Sequence, residues 1–442
     1  MRSALLVFLL AVPVAAQQKG TSSQDEELQK ELEKAIEADK KAAQQQGQGQ
    51  NAPAAPPAAT APSASSAPQT SRGSQSLNPD ISVILDGNFG YQRRAPQFLN
   101  GDDPDLHAED TRHALGFTAQ EVELAFSAIV DPYFKGEVYL TIPNLEGLEV
   151  EEAFATTTSL PWNLQVKAGS FRGAFGRQNG QHLHLQDFTR RPLINAAFLG
   201  ADGMRGPGLQ VSWLSPLPFY LTLSGEAFSL RNDPADQTGP LPLPVPSFGA
   251  DASTHPTLAA EAKAFFPMGD SWSLFSGLSF ASGKSPGLLL AGGAPSGAGR
   301  DSQLYGADVY LKWKPPNVAQ GYESVALQAE AILRRLGAGD GIGDEWDGGG
   351  YAQIVYQFAR RWFLGVRGDI VGVPSSSVLA RTERIGASLT FQPSEFARIR
   401  AYFEAEHAGG TAALVPQAMP DWAPAAFLQL EYSIGAHGAH PY

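Results

Sequence analysis

Between Arg172 and Gly208 the chain carries Arg177, His182, His184, Arg190, Arg191 and Arg205 against only Asp187 and Asp202, in a protein whose net charge is -13. With Lys167 just upstream, these residues make a locally basic segment. Two chemistries suit it. Fixed guanidinium groups favour anions and raise the barrier to cations, because arginine stays charged and presents a planar fork of donors. Alternatively the same arginines pair with Asp187, Glu121 or Glu123 and fasten the segment to whatever surrounds it; different arginines can do either. The two imidazoles of His182-x-His184 point the same way in an extended segment and offer two ligands to zinc or copper, as do His437 and His440 near the C-terminus. Neither pair has a full ligand set or an obvious carboxylate partner in its local sequence, so solvated histidines and no bound metal or cofactor are expected.

The elements that must position this segment are strands. From Asp80 onward the sequence alternates: Ile81, Val83, Leu85, Phe89 and Tyr91 against Ser82, Asp86 and Asn88, then Val122, Leu124, Phe126 and Ala128 against Glu121, Glu123 and Ser127. Sixteen such runs can be counted, among them 80–91, 148–158, 162–172, 208–215, 350–359 and 425–435. An even number with one apolar and one polar face is what an antiparallel transmembrane β-barrel requires. Tight turns such as Asp131-Pro132, Ser159-Leu160-Pro161, Pro216-Leu217-Pro218 and Arg360-Arg361 follow the even strands. The links after odd strands, such as Asn232 to Thr254 and Gly283 to Arg300, are mostly long. Trp162, Trp213, Trp272, Trp313 and Trp362 sit beside the tight turns and mark one interfacial girdle; Trp346 and Trp422 are expected in long loops.

The ends suggest a compartment. Residues 1–16 have the charge and apolar run of a secretory signal peptide, and the chain has no cysteine. Residues 17–46 are a polar helix or coiled-coil candidate, 47–78 a linker rich in Pro, Ala, Gln and Ser, and 79–442 the barrel. The expected location is the outer membrane of a Gram-negative bacterium, with the N-terminal arm and the C-terminus in the periplasm and the arm within reach of peptidoglycan. The last run sets Leu428, Leu430, Tyr432 and Ile434 toward lipid, and the chain ends on the aromatic Tyr442.

The segment Glu149 to Arg191 runs as an acidic strand ending in EEAFA, a strand LQVKAGSFR, then FGRQN, the H-x-H pair and DFTRRP. It resembles the phosphate-selective porin O and P family. The resemblance and the strand count together imply that the long connection after the fifth strand, residues 173–206, folds inward, with Arg172, Arg177, Arg190 and Arg191 at a constriction. Inward strand positions carry both signs, from Lys167, Lys312, Arg367, Arg384, Arg398 and Arg400 to Glu137, Glu151, Glu226, Glu330, Glu404 and Glu431. Passive diffusion of small hydrophilic solutes or ions with mild anion preference is therefore expected, from a barrel of a size that commonly trimerises. A metal-linked uptake barrel without a plug and an envelope-tethering barrel are the alternatives. No arrangement of nucleophile, base and orienting acid is visible at any spacing, so an enzyme is not expected.

Overall fold

A computed structural model describes residues 79–435 apart from 97, 105, 107–111, 146, 231–246, 250–254, 287, 290–294, 297–298, 340–342 and 410–418. The expected signal peptide, arm and linker, together with His437, His440 and Tyr442, lie outside the described residues. Sixteen antiparallel strands form a closed barrel. In chain order β1 to β16 are Asp80–Gln92, Ala114–Ile129, Phe134–Pro143, Glu149–Thr157, Leu164–Arg172, Arg205–Leu214, Tyr220–Phe228, Thr257–Met268, Trp272–Lys284, Asp301–Trp313, Ser324–Leu336, Glu345–Ala359, Trp362–Val371, Thr382–Ser394, Ala397–Ala408 and Met419–Gly435. A two-stranded ribbon, Leu288–Leu289 with Pro295–Ser296, belongs to the link between β9 and β10.

Each strand pairs with its sequence neighbours, and β1 closes the ring on β16 from Ser82↔Gly435 to Gln92↔Ala425. Closure satisfies every edge, which is what lets a sheet cross a lipid bilayer. Period-two patterning fixes which face is which. Along β15, Arg398, Arg400, Tyr402, Glu404 and Glu406 are buried inside, while Ile399, Ala401 and Phe403 face out. On β16, Leu428, Leu430, Tyr432 and Ile434 are exposed outside, as the alternation predicts.

Two departures from the expected strands have backbone causes. Trp346 and Trp422 are not in loops: β12 begins at Glu345 and β16 at Met419. The triglycine Gly348 to Gly350, Pro420 and Pro424 interrupt the apolar alternation without ending the ladder, since Asp347 and Trp346 still pair with Arg334 and Arg335, and Pro424 with Ala405. Both indoles are outward and lie at the strand ends away from the tight turns. Trp346 stacks on Tyr305 with centroids 6.0 Å apart, and Trp422 on His407 at 5.3 Å. The tryptophans thus mark both rims, the arrangement amphipathic rings take at two interfaces.

Candidate functional site: the inward loop and its acidic wall

The connection between β5 and β6 lies inside the barrel. Along it Gly176 N–H donates to Ser279 Oγ on β9 (2.9 Å), Gln178 N–H to Glu330 Oε2 on β11 (3.2 Å), Leu193 N–H to Asp369 Oδ1 on β13 (3.1 Å) and Thr189 Oγ1 to Gln429 Oε1 on β16 (2.9 Å). Asn179 ties its two ends together. The amide donates to the carbonyls of Gly173 (2.8 Å) and Met204 (3.1 Å), and its oxygen accepts from Met204 N–H (2.8 Å). Gly176 has φ +63, and a Cβ there would lie 1.8 Å from Glu330 Oε1, so only glycine permits this approach.

What anchors the loop is apolar. Leu193, Ile194, Phe198 and Leu199, the last two in a single π-helical turn at Asn195–Leu199, are buried against Phe171, Phe175, Met204 and Phe228. Burying four such side chains contributes about 6–12 kcal/mol relative to leaving them in water. The sequence signal was the run LINAAFL inside an otherwise polar segment. A second link, between β1 and β2, joins it: Phe98 is buried in the same cluster, and Asp103 accepts from Asn100 N–H (3.1 Å) and Arg191 N–H (2.8 Å).

Three of the predicted arginines pair with carboxylates, though not with the expected Asp187, Glu121 or Glu123. Arg172 Nε donates to Glu151 Oε1 at 3.0 Å. Arg190 contacts Glu404 and Gln92 and donates to the Pro104 carbonyl at 2.7 Å. Arg191 Nε forks onto both oxygens of Asp102 at 2.9 and 2.7 Å. Asp187 instead accepts from Gln353 Nε2 (3.2 Å) and stays exposed. The sequence could not show which acids would arrive, because Glu151, Glu404 and Asp102 reach these arginines from three separate places on the wall and the neighbouring loop.

Arg177 differs. It is half-buried, donates through Nε to Gln328 Oε1 (3.2 Å) and lies over the Tyr310 ring with its guanidinium carbon 4.0 Å from the centroid. Lys263 Nζ is 3.5 Å from the Gly176 carbonyl, and Lys312 is two residues from Tyr310 on the same face of β10. Arg177, Gln181, His184 and Asp187 form the partly exposed edge of the loop. Lys167 lies apart from them, its Nζ 4.6 Å from the Phe154 centroid and 5.3 Å from that of Phe171.

The H-x-H pair meets an acidic wall. A 3₁₀ turn at Leu183–Leu185, rather than an extended segment, stacks His182 on His184 with centroids 5.8 Å apart. His182 Nδ1 lies 3.2 Å from Glu151 Oε2 and 3.3 Å from Glu123 Oε2, its Nε2 is 3.0 Å from Glu152 Oε2, and His184 Nδ1 is 3.4 Å from Glu123 Oε2. Glu151 and Glu152, adjacent in sequence, both face inward because of a bulge: Tyr139 pairs with Glu152 and Leu140 with Val150, leaving Glu151 as the extra residue. The doubled acid in EVEE is where the alternation breaks. Burial pulls the His182 pKa down, but the carboxylates of Glu151 and Glu123 outweigh it and hold it well above the usual histidine range. Glu123, Glu151 and His182 can each turn one donor atom to a common ion, with those atoms within 4.8 Å of one another.

No family model matches the chain. An uncharacterized protein of Aquifex aeolicus (strain VF5) is 31% identical over 387 residues, covering 82% of this chain and 80% of that one. Among solved structures, Pseudomonas putida OprB is similar at TM-score 0.52 and 13% identity, over 81% of this chain and 94% of that one. The anion-selective porin from Comamonas acidovorans is similar at TM-score 0.51 and 9% identity (81% and 99%), and the outer membrane channel DcaP of Acinetobacter baumannii at 0.51 and 13% (80% and 97%). At such identities these likenesses show the fold, a sixteen-strand porin barrel.

Proposed function

The chain belongs to the same family as the Aquifex aeolicus protein, and from its porin barrel we propose that it is an outer-membrane channel for passive diffusion of small hydrophilic solutes, with a mild preference for anions. The observation that carries this reading is the loop after β5, bound around the inner wall of the barrel with one charged edge left accessible. A wall-bound loop narrows a lumen without needing a moving part, and the charges on its accessible edge act on whatever passes.

The preference is mild because Arg172, Arg190 and Arg191 are neutralised by Glu151, Glu404 and Asp102. Arg177 remains to attract anions, with Asp187 on the same edge to offset it. The resemblance to the phosphate-selective porin O and P family supports an anionic solute; the paired arginines favour general diffusion over a dedicated phosphate path. Export by residues 1–16, a periplasmic arm at 17–46 and association as a homotrimer belong to the same proposal, and diffusion through an aqueous lumen requires no catalytic residue.

The test is single-channel recording of the purified protein in planar bilayers, with reversal potential under a KCl gradient. Stepwise conductance with a reversal potential displaced modestly toward that of chloride is expected. A folded barrel that conducts nothing overturns the reading.

A further inference from the structure

We propose that the wall beneath the inward loop is a binding site for one divalent transition-metal ion of the zinc class, held by His182, Glu123 and Glu151. His182 Nδ1 already stands at coordination spacing from both carboxylates. A tetrahedral ion with bonds of about 2.0–2.1 Å to nitrogen and oxygen needs donors roughly 3.3 Å apart, and the separations are 3.2 Å for His182 Nδ1 to Glu151 and 3.3 Å for His182 Nδ1 to Glu123.

Each carboxylate oxygen around His182 has its own task. Glu151 spends Oε1 on Arg172 and leaves Oε2 for the ion. Glu152 takes the Arg172 backbone N–H on Oε1 and faces His182 Nε2 with Oε2. A carboxylate on one imidazole nitrogen fixes the proton there and turns the lone pair of the other outward, the arrangement found behind metal-bound histidines. Here Nδ1 faces two glutamates. Without an ion a second proton on the ring satisfies them, and a metal ion would take that proton's place.

Glu123 supplies an independent sign. It is 1% exposed, and neither of its carboxylate oxygens has a hydrogen-bond partner among the described residues, the imidazole nitrogens standing at ion-pair distances instead. A buried carboxylate without hydrogen bonds is costly unless paired or coordinating. Oxygen and imidazole donors without thiolate suit zinc and its neighbours, and imidazole disfavours calcium and magnesium. A cavity of about 60 Å³ lined by Asp102, Glu121, Glu149, Glu151 and Arg172 adjoins the site at Glu151. The bulge in β4 is the device that brings Glu151 and Glu152 to the same imidazole.

The experiment uses the full, untagged protein folded in detergent, stripped with a chelator, dialysed, and titrated with Zn²⁺ by calorimetry with the bound metal counted by atomic emission. One Zn²⁺ per chain is expected, with Ca²⁺ and Mg²⁺ failing to compete. His182→Gln and Glu123→Gln should each weaken binding at least tenfold, and Glu152→Gln, which removes no ligand, by about 10–100-fold; His407→Gln should leave it unchanged. X-ray absorption on the zinc-loaded protein should show nitrogen and oxygen neighbours only. Wild-type protein that migrates as a folded barrel yet retains no stoichiometric Zn²⁺ overturns the proposal, as does Zn²⁺ binding that a folded His182→Gln variant preserves.

Discussion

Arg190 and Glu404 touch inside the barrel although 214 residues separate them in the chain. The guanidinium lies over the Phe427 ring at 4.8 Å, and Arg384 shares the same carboxylate at 3.6 Å. Glu404→Ala therefore strands the buried Arg190, while Arg384 keeps Glu406 at 2.7 Å, and breaking a buried pair from one side costs about 3–5 kcal/mol. Urea unfolding followed by tryptophan fluorescence and heat-modifiable gel mobility should show that loss. Because the pair's own desolvation offsets much of its attraction, Arg190→Met with Glu404→Leu should recover part of the stability lost by Glu404→Ala.

Arg177 and Arg191 should separate selectivity from stability. Arg177→Ala removes the partly exposed charge on the loop edge, so anion preference in a KCl gradient should fall while stability changes by less than about 1 kcal/mol. Arg191→Ala leaves Asp102 without its fork of donors. That variant should lose about 3 kcal/mol, and its reversal potential should move less than that of Arg177→Ala.

A methyl group at Gly176 tests the seat of the loop. Its Cβ would overlap Glu330 at a backbone angle that disfavours side chains. Gly176→Ala should cost at least about 1 kcal/mol and open residues 173–206 to limited proteolysis in folded protein, where the wild-type loop resists cleavage.

Asp103 gives the inner wall a pH dependence. Burial first, and then the neighbouring Asp102, push its carboxyl up to about 6, with Arg190 and Arg384 opposing. A carboxyl raised in the folded state keeps its proton longer than in the unfolded chain, where its pKa is roughly 3.9. Its contribution is therefore most favourable below pH ~4 and declines as pH rises to ~6, by at most about 1.4 kcal/mol per pH unit. The difference between wild type and Asp103→Asn, measured by urea unfolding across pH 4 to 7, should carry that slope and flatten above it.

Much of the barrel was legible in the sequence because a strand's period and a tight turn are local properties. Alternation at Ile399, Ala401 and Phe403 against Arg398, Arg400 and Glu404 needs no knowledge of the neighbouring strand. What escaped notice depends on pairing. The bulge that turns Glu151 and Glu152 to one imidazole exists only opposite Tyr139 and Leu140. Trp346 stays in a strand because Arg335 holds its backbone across Gly348 to Gly350. The basic loop read as an inward-folded arginine constriction, but its hold on the wall comes from Leu193, Ile194, Phe198 and Leu199 as much as from its arginines. Its acidic partners could be named only once the wall had closed around it.

That closure couples the seam to the loop. The seam joins the first strand to the last, and the loop after the fifth strand reaches Gln429 on the sixteenth. A chain entering the membrane from its first strand would carry two open edges and a half-seated loop until its final segment arrived. Thr189 and Arg190 meet partners from both sides of the seam, Gln429 and Gln92, so the seated loop holds it shut. The last strand is in this sense a clasp: one segment completes the wall and secures what the wall encloses.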